Sequence, residues 1–198
     1  MVQTIIKPLR NFISMLGLIF IFPILVIVGL FIVVEDGFPI FFKQDRIGKG
    51  GKKFKIIKIR TLKNDTPNLG THDLEEDHML TNGKWIRKLK IDEFPQLINV
   101  VRGDINIVGP RPGLEMQTKL LDARLSRDIY SIKPGITGLS QILGYDMSEP
   151  KQLAKIDKIF LDKRSLKLRI FILFGTFLSY PKNLISTKYK IPFNDKNL

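Results

Sequence analysis

The sequence predicts an α+β domain carried on a membrane segment, and three observations lead there. A run without a single charge extends from Phe12 to Val34. Two β-leaning runs, Phe38–Ile47 and Lys53–Arg60, flank the glycine-rich Gly48-Lys49-Gly50-Gly51-Lys52. Beyond these, apolar residues return at helical spacing in several separate stretches.

The apolar run exceeds the ~20 residues that a helix needs to span a bilayer. It is too long for a cleaved signal peptide, and no small-residue cleavage site follows it. Pro23 stands at its centre, lacks a backbone donor and clashes with the preceding turn, so a kink is expected near Ile19 to Pro23. Lys7 and Arg10 precede the run, and Lys43, Arg46, Lys49, Lys52 and Lys53 follow it, so the positive-inside rule separates the two flanks poorly. Residue physics alone favours a kinked single span; a helix-break-helix hairpin that enters and leaves by one face also satisfies both flanks.

The chain has 198 residues, with 32 Lys and Arg against 19 Asp and Glu, a formal charge of +13. That length suits one ordinary domain plus an attachment segment, and that charge implies an anionic partner: phospholipid, nucleotide or nucleic acid. Cysteine is absent, which excludes disulfides and thiolate metal sites.

Gly48–Lys52 reads as a hairpin turn; it lacks the Gly-Lys-Ser/Thr spacing of a phosphate-binding loop. On the second strand Lys53, Lys55 and Lys58 give a basic face. Asn64 to Asn82 reads as a polar surface loop around a short helical turn; its His72, His78, Asp73, Glu75, Glu76 and Asp77 match no recognised metal-ligand spacing. Helical patterns cover Leu114–Tyr130 and Glu149–Asp162, with a short extended segment at Thr137–Leu143 after the Pro134-Gly135 turn. The run Leu166–Tyr180 has an uncharged part too short to span and a basic flank, so it reads as an interfacial helix, with a buried core helix as the alternative. The basic tail from Pro181 is expected to be loosely ordered.

The stretch with most chemistry is Arg87-Lys88-Leu89-Lys90-Ile91-Asp92-Glu93-Phe94-Pro95-Gln96-Leu97. Pro95 belongs in the first turn of a helix, so Asp92 is expected near the N-cap and Glu93 just inside. The helix dipole and the neighbouring cations Arg87, Lys88 and Lys90 keep both acids ionised, suited to bind a cation or attack an electrophile. Simple capping by Asp92 is the structural alternative. Arg102-Gly103-Asp104 should end that helix. Further on, Pro110 and Pro112 hold Arg111 on a stiff backbone, which suits bidentate phosphate recognition, or else a proline-rich turn with a solvated Arg.

The order of motifs resembles a known family. The membrane segment with its central Pro is followed by Pro39-Ile40-Phe41-Phe42 with Gln44, Arg46 and Gly48, then Lys58-Ile59-Arg60-Thr61, Asp92-Glu93-Phe94-Pro95-Gln96-Leu97, Val108-Gly109-Pro110-Arg111-Pro112 and Lys133-Pro134-Gly135-Ile136-Thr137-Gly138. This resembles the bacterial sugar transferases, monotopic phosphoglycosyl transferases acting on polyprenol phosphate, in their minimal catalytic form. The resemblance implies a re-entrant membrane helix hairpin at 1–36, broken at Pro23, a small cytosolic catalytic domain of helices with a short β-hairpin at 37–165, and an amphipathic interfacial helix with basic tail at 166–198. It also implies a location on the bacterial inner membrane with the catalytic domain facing the cytoplasm. The reaction it implies moves a sugar 1-phosphate from a UDP-sugar to undecaprenyl phosphate through a covalent phosphosugar on Asp92, releasing UMP and initiating glycoconjugate and polysaccharide synthesis. Glu93 is then a Mg²⁺ ligand or catalytic helper, and Mg²⁺ on Asp92 and Glu93 neutralises the diphosphate. Arg87 and Arg111 are the leading phosphate-binding candidates, with Lys58 and Arg60 behind them. Two positions depart from the family pattern: Phe22 stands before Pro23 where a Ser is common, and Gly144-Tyr145 stands where a Gly-Arg pair is common. Tyr145 either stacks on uracil or marks a different sugar preference.

The partners expected are therefore UDP-sugar, polyprenol phosphate and an anionic phospholipid membrane, with a homodimer left open and nucleic acid not expected. Two rival readings remain: a membrane-tethered nucleic-acid-binding module, motivated by the charge and the basic hairpin, and a noncatalytic scaffold for glycan assembly.

Overall fold

In the computed structural model, which describes residues 2–66 and 78–192, the chain packs as two units. One comprises Met1–Gln44 and Ile56–Arg102, the other Asp45–Lys55 and Gly103–Leu198. The expected hairpin is present as β1 (Phe41–Ile47) and β2 (Lys53–Ile59), with its base in the first unit and its tip in the second. Of the polar stretch expected between them and the acidic pair, residues 67–77 lie outside the described residues, and most of the conceivable metal ligands lie there with them.

The first unit is organised by α1 (Val2–Asp36), a single helix whose assignment runs through Pro8 and Pro23. The helix-break-helix expected at Pro23 is not seen as a gap between two helices. The most apolar 18-residue window within Arg10–Asp36 has a mean hydropathy of 3.2, and only 11% of it is buried. Phe12, Ile19, Phe20, Phe22, Leu30 and Val34 are all exposed. An apolar surface of that length has no counterpart on a water-soluble domain and suits lipid. Two stretches of α1 are nevertheless covered. Near its start it packs on α3 (Gln96–Arg102), where Gly17 lies so close to Leu97 that a Cβ would sit 3.2 Å from its Cδ1. Near its end, Ile32 joins Ile59, Leu80 and Ile86 in a small core, the last from α2 (Gly83–Lys88).

Polar bonds reinforce that second contact. Arg60 is 6% exposed; its guanidinium pairs with the Asp36 carboxylate and donates to the Pro39 carbonyl at 2.7 Å. Thr81 donates from both its backbone N and its Oγ1 to Glu35 Oε1, at 2.7 and 2.8 Å. The last turn of α1 is thus clamped to the strand and helix that follow it. Gly103 has φ +86°, the left-handed conformation that stops α3 where the sequence places the stop.

In the second unit, β3 (Asn106–Val108) and β4 (Gly135–Thr137) form a parallel pair in the register Asn106↔Gly135 and Val108↔Thr137. Parallel neighbours need a crossover, and α4 (Thr118–Leu125) lies within it. The helix expected over Leu114–Tyr130 is therefore shorter: Asp128, with φ 58°, turns the chain out of helix, and a separate 3₁₀ turn follows at Ile129–Ser131. The extended segment expected at Thr137–Leu143 is corrected as well, because the chain leaves β4 at Thr137 and coils into α5 (Leu139–Ile142). The helix expected at Glu149–Asp162 is α6 (Pro150–Lys163), opened by a proline at its first position.

The tail is not loosely ordered over its described part. After α7 (Leu166–Gly175), α8 (Ser179–Tyr189) packs Ile185 into the core beside Leu168 and Ile172 of α7, and Ile191 follows. Two apolar anchors, Ile185 and Ile191, with Tyr189 partly buried against the same core, supply the burial that orders it. α7 buries Leu168, Ile172 and Gly175 in the core, as the core-helix alternative expects, and leaves Leu166 and Phe174 exposed. Tyr145 also belongs to this core, 7% exposed, with its hydroxyl donating to the Pro192 carbonyl at 3.1 Å.

A buried ion pair ties these helices together. Arg124 and Asp157 are 2% and 1% exposed; Arg124 donates from Nε and Nη2 to Asp157 Oδ2 at 2.9 and 2.6 Å, and Ser140 Oγ donates to Oδ1 at 3.1 Å. Burial pushes the Asp157 carboxyl up, and Arg124 and Ser140 pull it back down. The remaining arm, Arg124 Nη1, donates to the Arg111 carbonyl at 2.7 Å and so fixes the proline-flanked loop from its backbone side.

Two substitutions test this framework. Arg124→Met strands the Asp157 carboxylate and should cost about 3–5 kcal/mol of stability, while Arg124→Met with Asp157→Leu should recover most of it, measured by denaturant unfolding in detergent micelles. At Gly135 a Cβ would lie 2.1 Å from Gly109 N and 2.7 Å from Gly109 Cα. Gly135→Ala should therefore pry β3 from β4, lowering the melting temperature and speeding proteolysis around the pair.

Candidate active site

The acids expected at a helix N-cap are placed differently. α2 ends at Lys88, and Lys90 takes up the left-handed conformation with φ 56°, rare for a residue with a Cβ. This reverses the chain into a 3₁₀ turn at Ile91–Glu93, and α3 begins only at Gln96. Asp92 is therefore not the cap of α3, which corrects the capping reading. It is a buried carboxylate, 7% exposed, in a turn of its own.

Lys58, the residue of β2 just before buried Ile59, reaches both acids. Its Nζ lies 3.5 Å from Asp92 Oδ2 and 3.1 Å from Glu93 Oε1, and the three side chains are 16%, 10% and 14% exposed. At such burial a single carboxylate is costly and two adjacent ones repel, so an ammonium between them favours the ionised form of both. β2 is fixed on α3 by the buried Asn99, whose Oδ1 accepts from Ile57 N at 3.1 Å; the ammonium and the acids are thus registered through one bond. Strand alternation sets Lys58 on the face opposite Lys53 and Lys55, the face that also carries Ile56 and Arg60.

Arg87 comes to the same site. Its Nε donates to Thr61 Oγ1 at 2.8 Å. Burial pushes the Arg87 guanidinium below its ordinary pKa and the charge of Asp92 pulls it back up, so the two face one another electrostatically. Lys58, Arg87, Asp92 and Glu93 therefore make one cluster in the first unit. Thr61 and Asn99, to which the sequence assigns no role, position two of its members.

The other candidates are elsewhere. Arg60 is spent on Asp36 and on the carbonyls around the end of α1, a structural post and not a free phosphate ligand, which corrects its expected role. Its burial as the last residue of a β-leaning run leaves no sequence signal that would separate it from Lys58. Tyr145 is a core residue with a committed hydroxyl, so the base-stacking role expected of it is corrected too. Arg111, half-buried, belongs to the second unit, its backbone carbonyl held by Arg124.

The donor set fits a hard divalent cation. Asp92 and Glu93 offer carboxylate oxygens from one turn, already converging on a positive charge. Among the described residues no group of three or more His, Cys, Asp or Glu side chains gathers to hold a metal ion. Mg²⁺ typically takes one or two carboxylates and completes its shell with water and substrate phosphates, so the Asp92–Glu93 pair is a donor set it could use.

The chain is similar to several known proteins. It is 39% identical over 140 residues to the uncharacterized sugar transferase EpsL of Bacillus subtilis, covering 71% of this chain and 69% of that one. It is 34% identical over 182 residues to the exopolysaccharide production protein ExoY of Sinorhizobium fredii, covering 83% and 80%. To the UDP-glucose:undecaprenyl-phosphate glucose-1-phosphate transferase of Caulobacter vibrioides it is 38% identical over 126 residues, 62% of this chain but only 47% of that longer protein. The model of the bacterial sugar transferases matches residues 2–183. With that match running from the membrane helix through the acidic pair and into α8, the chain belongs to the bacterial sugar transferase family.

Proposed function

We propose that this chain transfers a sugar 1-phosphate from a UDP-sugar to polyprenol phosphate, releasing UMP and forming a polyprenyl diphosphosugar. The observation that carries the reading is the buried Asp92–Glu93 pair converging on Lys58, with Arg87 beside it. Relatives named for this type of transfer support it, among them the UDP-glucose:undecaprenyl-phosphate glucose-1-phosphate transferases of Caulobacter vibrioides and Escherichia coli and an N-acetylgalactosaminephosphotransferase of Aeromonas hydrophila. Their sugars differ, so the sugar transferred here is not assigned.

The chemistry follows from the cluster. A carboxylate oxygen of Asp92 attacks the β-phosphorus of the UDP-sugar; the bond from that phosphorus to the bridging oxygen breaks, and UMP leaves with the electron pair. A phosphosugar remains esterified to Asp92. An oxygen of polyprenol phosphate then attacks the same phosphorus, and the carboxylate departs unchanged. Asp92 acts as a carboxylate, and the Lys58 ammonium stands 3.5 Å from its Oδ2. Lys58 and Arg87 supply fixed positive charge for the oxygens that gain negative charge at each displacement. Mg²⁺, when bound, would be held by Asp92 and Glu93 and would neutralise the substrate diphosphate. Glu93 also keeps the Lys58 ammonium oriented between the two acids.

The lipid acceptor requires the cluster to stand at the depth of phospholipid headgroups. In this reading α1 enters and leaves by the cytoplasmic face of the inner membrane as a re-entrant hairpin bent at Pro23, and the exposed apolar residues of α7 lie in the interface. The exposed Leu166, Ile170, Phe174 and Phe177 near Lys163, Arg164 and Lys167 support the second point.

Two experiments test this. Vesicle-reconstituted protein with polyprenol phosphate should release UMP from at least one UDP-sugar in a reaction that chelation of Mg²⁺ stops. Asp92→Asn should lower that rate by ~10³-fold or more and abolish any trapped phosphosugar adduct while leaving membrane association intact. Substantial turnover in that variant would remove the nucleophile assignment, and no UMP release from any UDP-sugar would favour a scaffold. For topology, Thr4→Cys and Asn64→Cys should be labelled from the same side of the membrane; opposite accessibility would refute the hairpin.

A further inference from the structure

Trp85 is the only tryptophan in the chain and is 62% exposed on α2, an unusual position for so large an apolar side chain. Lys84, Trp85, Lys88 and Leu89 fall within an arc of about 140° at 3.6 residues per turn. Lys84 and Lys88 are exposed, Leu89 is 58% exposed, and the Lys88 ammonium lies 5.2 Å from the Trp85 ring centroid. Outside that arc Ile86 is buried on Ile32 of α1, and Arg87 turns to Thr61 and Asp92. α2 is fixed beside the last turns of the apolar helix by that core contact and, through Thr81, by the two bonds to Glu35. Phe31, Val34 and Phe38, in the same stretch, are 59%, 87% and 73% exposed.

We propose that the Lys84–Trp85–Lys88–Leu89 face of α2 is a docking surface for anionic phospholipid, setting the depth of the neighbouring acidic pair in the membrane. This rests on the membrane reading of α1 under the proposed function. An aromatic ring with one polar N–H, next to two ammonium groups and at the end of an apolar helix, has the chemistry of the headgroup boundary: the ring and Leu89 enter the upper acyl region while the lysines meet lipid phosphates. Lipid is favoured over a protein partner because α2 packs through Ile86 on the end of α1, whose long apolar run is itself exposed. One short helix thus presents Trp85 to the membrane and Arg87 to the active site, so lipid contact and the site's cation are coupled through three residues of sequence.

Because Trp85 is the sole tryptophan, its fluorescence reports this surface without labelling. The full chain is reconstituted in vesicles of phosphatidylcholine and phosphatidylglycerol in which some phosphatidylcholine carries bromine, either near the headgroup end of its acyl chains or near the methyl end. The expected result is roughly twofold stronger quenching by the shallow bromine than by the deep one, as for an interfacial aromatic residue. Lys84→Glu with Lys88→Glu, and separately omission of phosphatidylglycerol, should each produce a loss of that shallow quenching. Unchanged shallow quenching in both cases would overturn the requirement for anionic lipid. Protein that floats with vesicles while Trp85 stays unquenched, or is quenched more by the deep bromine, overturns the docking surface alone. Protein that fails to float overturns both this surface and the membrane reading beneath it, and loss of UMP release with shallow quenching intact would count against the enzymatic proposal only.

Discussion

The Lys58 ammonium, set between Asp92 and Glu93, is the interaction on which the site depends. Two neighbouring carboxylates withdrawn from water are unstable as a dianion: each loses hydration and each raises the other's affinity for a proton. One cation at 3.1 and 3.5 Å offsets both penalties at once. Holding that cation in place requires β2 to be registered against α3, which Asn99 does by accepting the Ile57 amide, and requires the chain to double back at Lys90. A strand, a left-handed residue and a buried amide are thus all arranged around one charge balance.

A second constraint is the end of α1. Little of the surface of this apolar helix is covered, and its last turn is joined to the segments that follow it. Arg60 on Asp36, Thr81 on Glu35 and Ile86 on Ile32 make the joint from an ion pair, a side-chain hydrogen bond and an apolar contact on three successive segments. The basic residue expected to meet substrate, Arg60, is consumed in this joint, and its neighbour Lys58, two residues earlier on the same face of the strand, becomes the site's cation.

The second unit has its own version of the same economy. Arg124 and Asp157 are an expensive pair to bury, and an apolar pair of similar volume would pack there at less cost. What the ion pair adds is direction: the fork of Arg124 spans Asp157 on one side and the Arg111 carbonyl on the other, so α4, α6 and the proline-flanked loop share one set of hydrogen bonds.

Local chemistry alone determined the elements whose signals are short-range. The charge-free run from Phe12 to Val34, the glycine turn at 48–52 and the Gly103 stop each depend on residues a few positions apart, and each is found where it was read; the helix read over Glu149–Asp162 lies at Pro150–Lys163. The order of separated motifs carried the family and brought Asp92, Glu93 and Arg87 forward. Tertiary structure decided everything that depends on contacts between distant residues. It shortened the helix after Leu114 through a turn at Asp128, built a parallel pair from segments nearly thirty residues apart, ordered the basic tail by burying Ile185 and Ile191, and moved Tyr145 into the core. It also exchanged the fates of Lys58 and Arg60. Both are cations near the end of one strand, and only the positions of Asp36 and of Asp92 in space determine which ties down the end of α1 and which pairs with the two acids.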